Sequence, residues 1–376
     1  MTDKPGIQAS ADPRTAYLVL GMHRSGTSAL ANVLALAGAS LPRAIMPADA
    51  HNARGYFEPW RIAVFNDRRL AAAGTSWDDP FAALAPDPAD AADWLDEARR
   101  LFREEFGRKR RPVLKDPRVS VLAGLWRQVL AAEGLAVRTL IPVRHPLAVA
   151  GSLASRDRFP PRKSVMLWCA YMLAAEAASR DLPRAFVDYD ALLEDWRPQV
   201  AGAEAQLGEP LPTLTPAAGR RIDAFLSAEL RRNESGGDLA ALGEAGEMAA
   251  GVLDWLRAAA RGETPDGSAL IRAAGWLADQ QALYGDLVSP VSADRAVART
   301  ALADAEGRAV WLEGQREELQ RTLEETQAGV ERLSTLVPLA EDLRRQVRGL
   351  EARLAASQAT VNEAAERLEA LAATVE

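Results

Sequence analysis

Apolar residues change their spacing along this chain, and each change marks a different kind of element. Residues 17–20 form a short apolar run that stops at Gly21, and residues 136–143 form a longer one rich in branched side chains. Neither run alternates strictly with polar positions, as expected of strands covered on both faces of a parallel sheet. Shorter runs of the same type occupy 111–115 and 184–188. Between them apolar residues fall at helical spacing, after Thr27, over about 119–131, and from Pro146 to about Ser155, with Pro146 suited to a first helical turn. Alternation of strand and helix patterns throughout residues 15–205 predicts an α/β domain of three layers with a mostly parallel central sheet.

Further along, the pattern becomes purely helical. Residues 237–288 suggest two Ala-rich helices separated by Gly262-Glu-Thr-Pro-Asp-Gly267 and capping the α/β domain. After that, Leu319, Leu323, Thr326, Val330, Leu333, Val337 and Ala340 step by four and three. The steps resume at Leu343 and run through Val347, Leu350, Leu354, Ser357, Val361, Ala364, Leu368 and Leu371 to Val375. Sustained 4–3 spacing with Glu and Arg between is a coiled-coil seam, most simply that of a homodimer. The slip coincides with Pro338, where a kink or break is expected, and a break there leaves an intramolecular hairpin as the other way to bury the seam. The resulting division is a disordered tail over 1–14, an α/β domain over 15–237, a helical segment over 238–290 and a coiled coil over 291–376.

The densest chemical signal lies in Gly21-Met-His23-Arg24-Ser25-Gly26-Thr27-Ser28, between the first strand pattern and the first helix pattern. Strand, small-residue loop and helix start together aim backbone N–H groups at one point, which suits an anion. The spacing Gly21-x4-Gly26 is that of a Walker phosphate loop, but Thr27 stands where that motif needs lysine, and the cation is Arg24 inside the loop. A second pair follows the strand at 136–143: Arg144 at its end and Ser152 eight residues later, two helical turns on. Lys115 and Asp116 stand at another strand end, in Lys115-Asp116-Pro117-Arg118. Ligands of parallel sheets bind at the carboxyl ends of strands, where Arg24, Lys115, Asp116 and Arg144 all fall.

A P-loop-like cradle with its cation moved, followed by Arg144-x7-Ser152, resembles the sulfotransferase family over residues 15–237. Asp188-Tyr189-Asp190-Ala-Leu192 is similar to that family's step after its fourth strand. The resemblance implies 3′-phosphoadenosine 5′-phosphosulfate (PAPS) as sulfuryl donor and 3′-phosphoadenosine 5′-phosphate (PAP) as product. It implies donor contacts from Gly21, His23, Arg24, Ser25, Gly26, Thr27 and Ser28 to the 5′-phosphosulfate, and from Arg144 and Ser152 to the 3′-phosphate. It also implies an acceptor hydroxyl, on a carbohydrate or glycolipid. Bacterial and Golgi-type relatives carry a catalytic glutamate after the first helix, and Asn52-Ala-Arg54-Gly55-Tyr56-Phe57-Glu58 resembles that segment. Glu58 is therefore the first candidate for the base, Asp116 the second and His51 the third, while Arg24 meets the charge on the leaving group. Two other readings stay open: a small-molecule kinase with a modified loop, and a coiled-coil scaffold with an idle nucleotide fold.

Composition narrows the rest. A formal net charge of −7 gives no support to nucleic-acid binding, and the run Arg108-Lys109-Arg110-Arg111 fits a solvated loop. Cys169 is the single cysteine and His23, His51 and His145 lack ligand spacing, so neither a disulfide framework nor a metal site is expected. Residues 1–14 carry no apolar leader and no run approaches about 18 apolar residues. The expectation is a cytoplasmic protein without a transmembrane segment.

Overall fold

The computed structural model describes residues 14–46, 55–85, 91–226 and 237–372. In chain order the elements are β1 (Thr15–Val19), α1 (Thr27–Leu36), α2 (Trp60–Ala72), α3 (Ala91–Phe106), β2 (Val113–Lys115), α4 (Ala123–Ala132), β3 (Ala136–Val143), α5 (Pro146–Asp157), α6 (Pro161–Ser179) and β4 (Arg184–Asp188). They continue as α7 (Tyr189–Glu194), α8 (Trp196–Leu207), α9 (Pro216–Phe225), α10 (Glu244–Ala260) and α11 (Ser268–Ala372). The protein is α/β. Among the described residues one sheet has four strands, all parallel, in the order β2-β1-β3-β4. The expected disordered tail falls almost entirely outside the described residues.

Strand periodicity explains the two cores. Ala16, Leu18 and Leu20 alternate with Tyr17 and Val19, and each set is buried on its own side of the sheet. Ala16, Leu18 and Leu20 join Ile141, Phe186, Trp126 of α4, Trp168 of α6 and Leu253 of α10. Tyr17 and Val19 join Leu140, Ala185, Leu30 and Val33 of α1, and Trp196 and Val200 of α8. A continuous apolar strand is what two covered faces require. In-register pairing of Tyr17 with both Val113 and Arg138, and of Val143 with Asp188, aligns the carboxyl ends of all four strands along one edge.

The chain divides into two units, Met1–Ala309 and Val310–Glu376. The first extends past the boundary expected near 290, because Leu270, Ala273, Leu277 and Ala296 of α11 are buried within it. The second is helical over its described part. The break expected at Pro338 is not there: α11 is assigned as helix through that position. A helical proline removes one N–H and leaves the carbonyl four residues earlier without its partner. At 338 the neighbouring helix is exposed, so water can satisfy that carbonyl and no packing force turns the chain. A hairpin between the two halves of the seam is thereby removed as an option. No helix among the described residues is long and apolar enough to cross a membrane.

Candidate active site

The loop after β1 is shaped by backbone constraints that its glycines meet. Gly26 has φ of 95°, and a Cβ there would lie 2.2 Å from Cδ2 of Tyr189, so the loop lies directly against that ring. Gly21 has φ of 136° and its N–H donates to Ser120 Oγ at 2.8 Å. Arg24 itself takes a left-handed φ of 68°, an uncommon conformation for a branchless cationic side chain, held here by its surroundings. Gly26 caps α1 without a side-chain hydrogen bond. The first-turn N–H groups of α1 thus have no side-chain cap at their end, the arrangement that favours an anion.

Arg24 forms one connected cluster with Arg144 and Ser152, which follow it by 120 and 128 residues in sequence. Arg24 Nε donates to Ser152 Oγ at 2.8 Å, and Arg144 Nη1 donates to the carbonyl of Arg24 at 2.8 Å. The Arg144 guanidinium lies over the Tyr189 ring at 4.8 Å, and its carbonyl accepts from Trp168 Nε1 at 3.1 Å. Pro146 starts α5 and His145 Nδ1 accepts from the Leu147 N–H, which sets the helix that delivers Ser152. Burial, with Arg156 as the next influence, lowers the pKa of Arg24 from its usual 12.5, and the guanidinium keeps its proton.

A second cluster adjoins the same loop. Lys115 is buried at the end of β2, ion-pairs with Glu58, and donates to Ser28 Oγ and to the carbonyl of Tyr56, both at 3.0 Å. Ser28 Oγ donates to the Tyr56 carbonyl at 3.1 Å. Arg118 Nη1 lies 3.8 Å from Glu58 Oε2 and 2.9 Å from Asp116 Oδ1, while its Nε bonds Asp67 Oδ1 at 2.6 Å. Burial raises the Glu58 pKa from 4.5, with the Asp116 charge helping and Lys115 and Arg118 opposing. Burial likewise lowers that of Lys115, against the pull of Glu58.

The three candidate bases are placed differently. Glu58 lines a cavity of about 280 Å³ together with His23, Tyr56, Trp77, Arg118 and Arg156. Asp116 does not line it: both its oxygens are engaged, Oδ2 by Asn66 Nδ2 at 2.8 Å and Oδ1 by the Arg118 side chain and backbone N–H. His51 lies outside the described residues. Of the loop residues, Thr27 is buried, and Ser25 Oγ is buried with no hydrogen-bond partner among the described residues. His23 lies against Trp77 at 4.5 Å between ring centroids.

Sequence patterning did not single out the residues that brace the site from a distance. Ser120, just beyond a strand, ties down Gly21, while Tyr189, noted in sequence only as part of the Asp188–Leu192 step, supports both Gly26 and Arg144; position relative to strand ends was the available signal. Trp77 and Arg156 carry no local signal, and neither do Ala303, Glu306 and Gly307 of α11, which line the same cavity.

No protein-family model matches the chain, nor does any curated protein. Among solved structures it is similar to the sulfotransferase domain of the Synechococcus PCC 7002 olefin synthase, at 17% identity over 64% of this chain and 95% of that one, with a TM-score of 0.37. It is also similar to the sulfotransferase domain of the curacin biosynthetic pathway, at 14% identity over 71% of this chain and 99% of that one, with a TM-score of 0.32. Likeness of this degree carries no functional argument.

Proposed function

We propose that this protein transfers the sulfuryl group of PAPS to an acceptor hydroxyl, on a carbohydrate or glycolipid. The observation that carries this reading is the single cluster of Arg24, Ser152 and Arg144 beside a glycine-shaped anion loop at the carboxyl ends of β1 and β3. Two guanidinium groups, a hydroxyl and a helix N-terminus suit a donor with two separate anionic ends, a 5′-phosphosulfate and a 3′-phosphate. Loop residues Gly21, His23, Ser25, Gly26, Thr27 and Ser28 would hold the first end, and Arg144 with Ser152 the second.

The step needs alignment and charge stabilisation more than covalent help from the protein. Glu58 takes the hydroxyl proton as the acceptor oxygen bonds to sulfur and the bond from sulfur to the bridging oxygen breaks. Arg24 meets the charge that gathers on that bridging oxygen as PAP leaves. A carboxylate whose pKa is raised by burial is better matched to accepting a proton near neutral pH than an exposed one. With cationic side chains and N–H groups in these roles, the proposed step uses no metal. Homodimerisation through the C-terminal helix completes the reading, and nucleic acid has no part in it.

Calorimetric titration with PAP and, separately, with ATP and Mg²⁺ tests the donor assignment. PAP is expected to bind and ATP with Mg²⁺ to bind far more weakly. Tighter binding of ATP with Mg²⁺ would replace the sulfotransferase reading with a kinase.

A further inference from the structure

His23 belongs to the anion loop by sequence, yet its ring lines the cavity that Glu58 also lines. The side chain is 7% exposed and its Nε2 is buried with no hydrogen-bond partner among the described residues. Its ring packs on Trp77 at 4.5 Å and edge-on to Tyr171 at 6.0 Å, so packing fixes the plane and leaves the polar atom unserved. A buried polar nitrogen without a partner is rare in folded proteins and points to a group supplied by something else. Resting on the sulfotransferase reading for its ligand, we infer that His23 contacts the acceptor: its Nε2–H donates to the acceptor oxygen while Glu58 accepts that hydroxyl's proton.

This division uses each atom once. An acceptor oxygen has one proton and two lone pairs. The proton goes to Glu58, one lone pair receives the His23 N–H, and the other is left to attack sulfur. A neutral imidazole is the form that fits, because a charged one would add a fifth cation to Arg24, Lys115, Arg118 and Arg156. Burial first, then the charges of Arg118, Arg156, Lys115 and Arg24, hold the His23 pKa well below 6.5, so the ring is neutral at neutral pH. The acidic groups facing the same cavity are Glu58, Asp157 and Glu306. One loop would thereby serve both substrates, its backbone on the donor side and the His23 side chain on the acceptor side. Two substrates that meet at one rigid loop are held in a fixed relative position, which is the main demand of this transfer.

The test uses the full chain, PAP as the donor-site ligand and glycerol at molar concentration as the hydroxyl probe. Histidine-selective ¹⁵N labelling reports three imidazoles, His23, His51 and His145, and His23→Phe identifies the first. Glycerol is expected to shift the His23 nitrogens in the PAP-loaded protein and to leave His145 in place. His23→Phe, which keeps a ring beside Trp77, should lower PAPS turnover in glycerol by about tenfold or more, with the KM for PAPS within about twofold. His23→Gln, which restores an N–H donor, should recover part of that loss. An unmoved His23 signal overturns the inference, as does a His23→Phe variant that turns over like the unaltered chain or that loses PAP affinity by calorimetry. If the unaltered chain fails to bind PAP, the sulfotransferase reading itself falls. The glycerol shift measured without PAP then still decides whether His23 faces a hydroxyl site, and no shift rejects it.

Discussion

The Arg144 guanidinium is held in two ways, Nη1 by the Arg24 carbonyl and its flat face by the ring of Tyr189, a fixed orientation of the kind that a fork-like contact to phosphate needs. Arg144→Ala should weaken PAP binding by about 2–3 kcal/mol, the scale of lost hydrogen bonds to a charged group. Adenosine 5′-phosphosulfate, which lacks the 3′-phosphate, should lose far less, and equal losses in paired titrations would remove the 3′-phosphate assignment. Glu58 and Asp116 separate in the same way. Glu58 has cavity on one side, so Glu58→Gln should leave PAP affinity intact while turnover falls on the order of 10²–10⁴-fold. Protonation disables a carboxylate base, and burial raises this one above 4.5, so the acid limb of the rate profile should lie above pH 4.5 and rates should climb through it as pH increases. Asp116 is enclosed by Asn66 and Arg118, and Asn66 in turn accepts from Trp126 Nε1 at 2.8 Å. Asp116→Asn should therefore show in urea melts as a loss of about 2 kcal/mol, from a weakened charge-assisted hydrogen bond to Arg118, which keeps Asp67 as its other buried partner. A stable Asp116→Asn protein that has lost turnover would move the base to Asp116.

At the scale of elements, the strand–loop–helix layout around Gly26 and the placement of Arg144 and Ser152 were legible because both are set by counting from a strand end. The strand fixes where the arginine emerges, and two turns of α5 fix the serine. The far wall of the cavity was not legible, since Gly307 comes from α11 and meets Trp60 only through the fold; a Cβ at Gly307 would lie 2.7 Å from Trp60 Cε3. The packing around Asp116 was hidden for a related reason. Its strand-end position looks catalytic in sequence, and only packing shows Asn66, Asp67 and Arg118 around it. Helix α11 is fastened at Arg299 to the loop after α2 through Asp78, which receives Arg299 at 2.6 Å, Lys163 at 2.9 Å and Ser76 at 2.7 Å. Burial alone would raise the Asp78 pKa. The Arg299 hydrogen bond and the charge of Lys163 outweigh it and hold the group at about 2, against 3.8 when free. A depressed carboxylate pKa contributes stability that is full above the unfolded value and is lost as pH falls through the folded one. Asp78→Asn should accordingly lower stability by about 2 kcal/mol at neutral pH and by little near pH 2, and equal losses at both would assign the effect to packing instead.

At the scale of the whole molecule, the described residues of the unit Val310–Glu376 leave its apolar seam uncovered. Leu319, Leu323, Val330, Leu333, Val337, Leu343, Val347, Leu350, Leu354 and Val361 are 51–68% exposed in the single chain. A repeat of this regularity left in water forgoes the burial that stabilises long helices, and unbroken helix through Pro338 rules out folding back on itself. A second copy of the chain is the partner that offers a matching seam at matching length. Mixed Leu and Val with smaller Ala, Thr and Ser at the seam positions suits a small number of strands, so a dimer is expected. Light scattering should give twice the chain mass for the full protein and the single mass for a chain ending at Ala309, where the first compact unit ends. A full-length monomer would reject the dimer, and a dimer that persists after truncation would move the interface to the α/β domain. PAP binding should survive the truncation, because Arg24, Arg144, Ser152 and the loop around Gly26 all lie within the retained unit.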